Sequence, residues 1–79
     1  MFKNKNEDGT LNISGKNIAD LRKSQNLSQR VLAEQLQLLG IDVNKNAIQQ
    51  IESGQRFVTD IELKAIAKYF NVSADELLS

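Results

Sequence analysis

Signals that begin a helix recur along this chain, and two of them are complete. Thr59-Asp60-Ile61-Glu62 and Ser73-Ala74-Asp75-Glu76 both have capping-box spacing, in which a hydroxyl and a carboxylate satisfy free amides at a helix N-terminus. Ser28 and Asn44 precede two further segments with helical apolar spacing, and we predict that they are N-caps. Because proline is absent and no strand-like alternation competes, we predict an all-α fold, a compact bundle of five short helices.

Apolar spacing gives approximate bounds for the five helices, which are predicted at 15–25, 29–38, 45–53, 60–69 and 74–78. Gly40 is expected to end the second helix in the left-handed conformation. Ile41 and Val43, in the connection that follows, are expected to fold back into the core. The other expected core residues are Ile18, Leu21, Val31, Leu32, Leu36, Leu39, Ile48, Ile51, Ile61, Leu63, Ile66 and Ala67.

The first 13 residues differ in composition from the rest of the chain. They are polar, contain Asp8 and Gly9, and have no helical apolar period. We therefore predict a flexible N-terminal arm at residues 1–13, followed by one folded domain at residues 14–79.

The composition argues against an enzyme. A chain of 79 residues buries only about 60% of its unfolded surface, which leaves little room for an enclosed active site. Cysteine and histidine are both absent, which removes thiolate ligands and the commonest general base. Capping explains the acidic pairs Asp60 with Glu62 and Asp75 with Glu76. We expect no catalytic activity, no metal and no cofactor.

The net charge is zero, but the charges are unevenly distributed. Residues 15–56 carry +2 and residues 57–79 carry −2. A nucleic-acid partner would therefore be attracted weakly and with strong dependence on salt. No apolar run approaches the roughly 20 residues that cross a bilayer, and nothing resembles a secretory signal. The expected location is the cytoplasm, without membrane contact.

Amide side chains dominate the predicted third helix. Its sequence, Lys45-Asn46-Ala47-Ile48-Gln49-Gln50-Ile51-Glu52, has only two charged side chains, whereas a solvated helix would normally carry several Lys and Glu pairs. Amides suit hydrogen bonding to base edges in the major groove of DNA. The alternative interpretation is an ordinary polar face.

The order and spacing of several short motifs resemble the phage-repressor and Cro-like helix-turn-helix DNA-binding domain, the XRE family. The motifs are Arg22, Ser28-Gln29, Leu32-Ala33-Glu34, Ile48, Ile51-Glu52-Ser53-Gly54, Ile66-Ala67, Val72-Ser73 and Glu76-Leu77-Leu78. This resemblance covers residues 14–79 and implies a lambda-repressor-like bundle whose third helix enters the major groove. The segment 37–45 is several residues longer than the family's usual tight turn, which a longer second helix or a looser turn would absorb.

The resemblance also implies roles for individual residues. Those implied to contact base edges are Lys45, Asn46, Gln49 and Gln50. Those implied to contact the DNA backbone are Gln29, Ser53, Gly54, Gln55 and Arg56, with Arg56 the strongest candidate. Arg22 and Glu52 match positions that form a structural ion pair between the first and third helices. For each DNA-contact residue, the alternative is a solvated polar side chain.

Two functions are compatible with these features. The leading hypothesis is a sequence-specific, double-stranded DNA-binding transcriptional regulator, a small repressor that acts as a homodimer on a palindromic operator. The alternative is a protein-interaction module, such as a helix-turn-helix antitoxin or anti-regulator that binds a protein partner, which zero net charge favours. Tyr69, Phe70, Leu77 and Leu78 are expected in the core, with a dimer contact as the other possibility.

Overall fold

The computed structural model describes residues 5–79, so the first four residues of the predicted arm lie outside the described range. Within it there are five helices: α1 Ser14–Ser24, α2 Gln29–Leu38, α3 Lys45–Glu52, α4 Asp60–Phe70 and α5 Ala74–Leu77. Residues 5–79 contain no strand, and none of their helices is long and apolar enough to cross a membrane. The predicted all-α bundle is confirmed, and each predicted helix boundary lies within one residue of the observed one.

Four helices begin with the side-chain caps that the sequence indicates. Ser28 and Asn44 each accept the backbone N–H three residues further on, at 3.0 and 2.8 Å. Thr59 and Ser73 each form a complete capping box with the glutamate three residues further on. Because one such cap contributes typically about 1 kcal/mol, local sequence strongly favours these four start points.

The first four helices also share one kind of ending, in which a residue adopts the left-handed conformation. The residues are Asn26, Gly40, Gly54 and Asn71. After α3, Gly54 N–H donates to Ile51 O at 3.1 Å and Gln55 N–H donates to Gln50 O at 2.8 Å, which is the Schellman pattern. The two asparagine endings were not predicted, since asparagine adopts this conformation less readily than glycine.

The core lies between α1, α2, α3 and α4, and α5 packs against α1 and α4. Its fully buried apolar side chains are Ile18, Leu32, Leu36, Ile48, Ile51, Ile66 and Leu77. Ile41 and Val43 are buried with them, as predicted. Burial of these side chains is the main stabilising contribution, since no disulfide can form in a chain without cysteine.

Three residues that were predicted in the core are exposed instead: Ile61, Leu39 and, near the C-terminus, Leu78. Ile61 is 69% exposed and Leu39 is 47% exposed. The inward face of α4 is centred on Glu62, Ile66 and Phe70, which recur every four residues. Ile61 is displaced from Glu62 by about 100° around the helix, and so it points away from the core. Leu39 follows the last residue of α2 and does not continue its buried stripe.

The long connection between α2 and α3 is a looser turn and not a longer helix. α2 ends at Leu38, as predicted, and α3 begins at Lys45. Gly40 has φ +85°, and Gln37 Nε2 donates to Val43 O at 2.7 Å across the turn. This hydrogen bond holds the turn against α2, so the start of α3 has a defined position.

Candidate nucleic-acid interface

One face of α3 presents all four residues that were predicted to contact bases. Lys45, Asn46, Gln49 and Gln50 are exposed, whereas the two isoleucines of the helix are fully buried. At about 100° per residue, the four exposed side chains fall within roughly 140° of arc. A single surface therefore carries one cation and three amides, each of which can form hydrogen bonds with base edges.

A largely buried cluster of three polar side chains, Arg22, Gln29 and Glu52, orients this helix. Arg22 Nε lies 2.7 Å from Glu52 Oε2, and Arg22 Nη2 lies 3.0 Å from Glu52 Oε1. The two side chains are only 11% and 8% exposed. Gln29 Nε2 donates to the same Oε1 at 3.0 Å, so the cluster joins α1, α2 and α3. The hydrogen bonds to Glu52 raise the pKa of Arg22 above its ordinary value, which keeps the guanidinium charged.

The cluster also fastens the connection that leads into α2. Arg22 Nη1 donates to Leu27 O at 2.7 Å, immediately before the N-cap Ser28. Gln29 itself is half-buried. One of its two amide hydrogens is donated to Glu52. The second is the hydrogen that would be donated to a phosphate oxygen. The structure therefore places Gln29 in the ion-pair cluster, a role that the sequence analysis had missed.

A groove lies between the starts of α2 and α3. Its lining residues are Arg22, Ser28, Gln29, Arg30 and Lys45. The N-terminal ends of both helices contribute positive partial charge here, and Arg30 and Lys45 add two exposed cations. Arg30 was not among the predicted contacts. The sequence signal that could have identified Arg30 is its position in the first turn of α2, next to Gln29.

The loop after α3 differs from the prediction at Gly54, which is buried. Its amide donates to Ile51 O at 3.1 Å, and its carbonyl accepts Leu11 N–H at 2.8 Å. A Cβ at this position would overlap the side chain of Thr10. The predicted phosphate contact of the Gly54 amide does not fit this structure, because its single hydrogen is already used. The side chains of Ser53 and Gln55, on either side, are exposed.

Arg56 has a partner that was not predicted. Its Nη1 and Nη2 lie 3.0 and 2.9 Å from the two carboxylate oxygens of Glu62. Burial alone would raise the pKa of Glu62, but hydrogen bonds from Arg56 and Thr59 outweigh burial and hold that pKa below its ordinary value. The Arg56 side chain is 30% exposed. Its charge is therefore largely balanced, which weakens the case for Arg56 as the strongest phosphate contact.

The C-terminal residues divide between core and surface. Phe70 and Leu77 are buried, whereas Leu78 is 45% exposed. Leu78 lines a groove with the exposed side chains of Ile13 and Phe57. Among residues 5–79, no group of three or more acidic side chains is placed to hold a metal ion.

Comparisons with known proteins identify the family of the chain. A family model described as helix-turn-helix matches residues 18–77. The HTH-type transcriptional activator BcrR of Enterococcus faecalis is 44% identical over 62 residues, which make up 78% of this chain and 28% of that protein. The match thus covers less than a third of the relative's length. No solved structure matches the chain significantly.

Proposed function

Because the chain belongs to the helix-turn-helix family, we propose that it is a DNA-binding transcription regulator and that the exposed face of α3 recognises a specific double-stranded sequence. The observation that supports this most is the common exposure of Lys45, Asn46, Gln49 and Gln50. Glutamine and asparagine bind adenine through two hydrogen bonds, and lysine binds guanine acceptors. Each good contact contributes about 1–3 kcal/mol of discrimination against a wrong base.

The groove between α2 and α3 supports a proposal for the backbone contacts. Gln29 donates to one phosphate from the N-terminal end of α2, and Arg30 supplies a positive charge beside it. Ser53 and Gln55 contact the backbone at the other end of α3. Arg56, held by Glu62, fixes the loop and contributes less to phosphate binding than an unpaired arginine would. Such contacts position the protein without selecting sequence.

We also propose that two copies bind together. A single module of this size buries only about 600–1,000 Å² on DNA, so useful affinity requires two half-sites about one helical turn apart. Ile13, Phe57 and Leu78 form an exposed apolar surface suited to a contact between copies. A homodimer of this kind would bind a palindromic operator in the cytoplasm and repress by occluding a promoter.

Activation is the second candidate, and the name of the relative favours it, since that protein is a transcriptional activator. A reporter gene placed downstream of the bound site distinguishes the two. Lower expression in the presence of the protein supports repression by occlusion, and higher expression replaces it with activation.

Selection from a random duplex library tests the proposal. We expect enrichment of a palindrome, bound with an affinity that falls steeply as salt rises, with a slope that corresponds to several phosphates. Failure of a folded sample to enrich any site would refute sequence recognition and favour the protein-interaction alternative.

A further inference from the structure

A short N-terminal segment, residues 6–12, lies against the end of α3. Asn6 Nδ2 donates to Thr10 Oγ1 at 2.8 Å and to Asn12 O at 2.9 Å, which closes the segment into a compact turn. This segment precedes the range 18–77 that the family model matches.

Asn12 connects three parts of the structure through one amide group. Its Nδ2 donates to Ile51 O at 3.0 Å and to Arg56 O at 2.7 Å, so it joins the last turn of α3 to the loop that follows. Its Oδ1 accepts Gly15 N–H at 2.8 Å, in the first turn of α1. Both amide hydrogens and one acceptor site of Oδ1 are thus used within the protein.

The two residues before Asn12 hold the same loop. Leu11 N–H donates to Gly54 O at 2.8 Å, and Thr10 covers Gly54 closely. On its other side, the loop is fixed by the pair of Arg56 and Glu62. The loop is therefore held between the N-terminal segment and α4.

We propose that Asn12 is a positioning residue for DNA binding. It sets the end of α3 and the following loop so that the exposed side chains of Ser53 and Gln55 meet the DNA backbone in register. This inference rests on the proposed function, because it concerns the surface that contacts DNA. In this proposal, residues 6–12 hold the DNA-contacting surface in position without touching DNA themselves.

Three substitutions separate positioning from general stability. Asn12→Asp keeps the acceptor for Gly15 N–H but removes both donors to the loop. Asn6→Ala removes only exposed hydrogen bonds within the segment, so we expect this variant to stay folded. Asn17→Asp is the matched control, because it adds the same charge and because Asn17 Nδ2 also donates to two carbonyls, Leu77 O at 2.8 Å and Ser79 O at 3.1 Å, which lie in the C-terminal residues and not in the loop after α3.

Two measurements report on the loop. The first is hydrogen exchange at the amides of Gly54 and Gln55, without DNA. The second is affinity for the enriched duplex together with ethylation interference, which identifies the phosphates that matter. We expect Asn12→Asp to speed exchange at both amides, to weaken affinity by about three- to tenfold, and to lose interference at one phosphate position per half-site. Asn6→Ala should show a smaller change of the same kind.

The control and the wild type distinguish the ways in which the account can fail. Asn17→Asp should leave exchange, affinity and the interference pattern unchanged. If folded Asn12→Asp binds like the wild type, or if Asn17→Asp loses as much affinity, Asn12 has no positioning role, while the proposed function stands. If the wild type itself binds no duplex, the proposed function fails and the positioning role fails with it.

Discussion

Arg56 and Glu62 are joined by two hydrogen bonds, 3.0 Å from Nη1 to Oε1 and 2.9 Å from Nη2 to Oε2. The same carboxylate also accepts Thr59 N–H at 3.0 Å in the capping box of α4. One glutamate thus begins a helix and fastens the loop that follows α3. This double role explains why a charged residue occupies the inward face of α4, where spacing alone would place an apolar one.

Replacing that carboxylate should change how stability depends on pH. The folded-state pKa of Glu62 lies below its ordinary value, so Glu62 stabilises the fold above about pH 4.3 and loses this effect as the pH falls further. We expect Glu62→Gln to be less stable than the wild type at pH 7 and to lose less stability on acidification. Urea unfolding at pH 7, 4 and 3 measures this. Equal pH dependence in the two proteins would exclude the proposed contribution. Exposed Glu76→Gln, at the corresponding position of the second capping box, is the control.

The buried pair of Arg22 and Glu52 predicts a large effect on stability. Glu52→Ala would leave the Arg22 guanidinium without its carboxylate partner at a site where it is only 11% exposed. Stranding a buried charge costs about 3–5 kcal/mol. In a domain of this size, that corresponds to a fall in melting temperature of more than about 10 °C. Exposed Glu34→Ala should change stability by less than about 0.5 kcal/mol. A melting curve of Glu52→Ala that matches the wild type would contradict the architectural role.

Gly15 is required by the close approach of α1 to α3. A Cβ on Gly15 would overlap the carbonyl of Ile51 and lie 2.7 Å from Asn12 Oδ1. Since the carbonyl is backbone, the two helices must move apart, and we expect Gly15→Ala to cost about 1–3 kcal/mol. Thermal unfolding measures the loss, with exposed Lys16→Ala as the neighbouring control. A stabilised Gly15→Ala variant, as helix propensity alone would give, would show that the contact is not tight.

Local sequence signals predicted the helices well, because caps act over three or four residues. Ser28, Asn44, Thr59 and Ser73 all cap the helices that they were expected to begin. The burial of α4 was harder to predict. Ile61 was predicted to point into the core because it is hydrophobic. Glu62, whose carboxylate is paired with Arg56, occupies the inward position instead.

Long-range contacts explain the remaining differences in the candidate interface. Asn12 and Ile51 are 39 residues apart in sequence, and nothing near Asn12 indicates that it meets α3. The amide of Gly54 is occupied because α3 ends in a Schellman motif, in which this amide donates to the carbonyl of Ile51. The family resemblance predicted the ion pair of Arg22 and Glu52, but not the hydrogen bond that Gln29 donates to Glu52.

We propose above all that the exposed face of α3 selects the bases of the operator. Gln50→Ala removes one amide from that face, leaves the buried isoleucines untouched, and should keep the fold. The most direct test of base selection is the ratio of two affinities, one for the enriched duplex and one for a random duplex of equal length. This ratio is measured for Gln50→Ala and for the wild type at one salt concentration. We predict that the ratio falls by about 5- to 150-fold, with binding to random duplex unchanged. An unchanged ratio for both Gln50→Ala and Gln49→Ala would contradict recognition through α3.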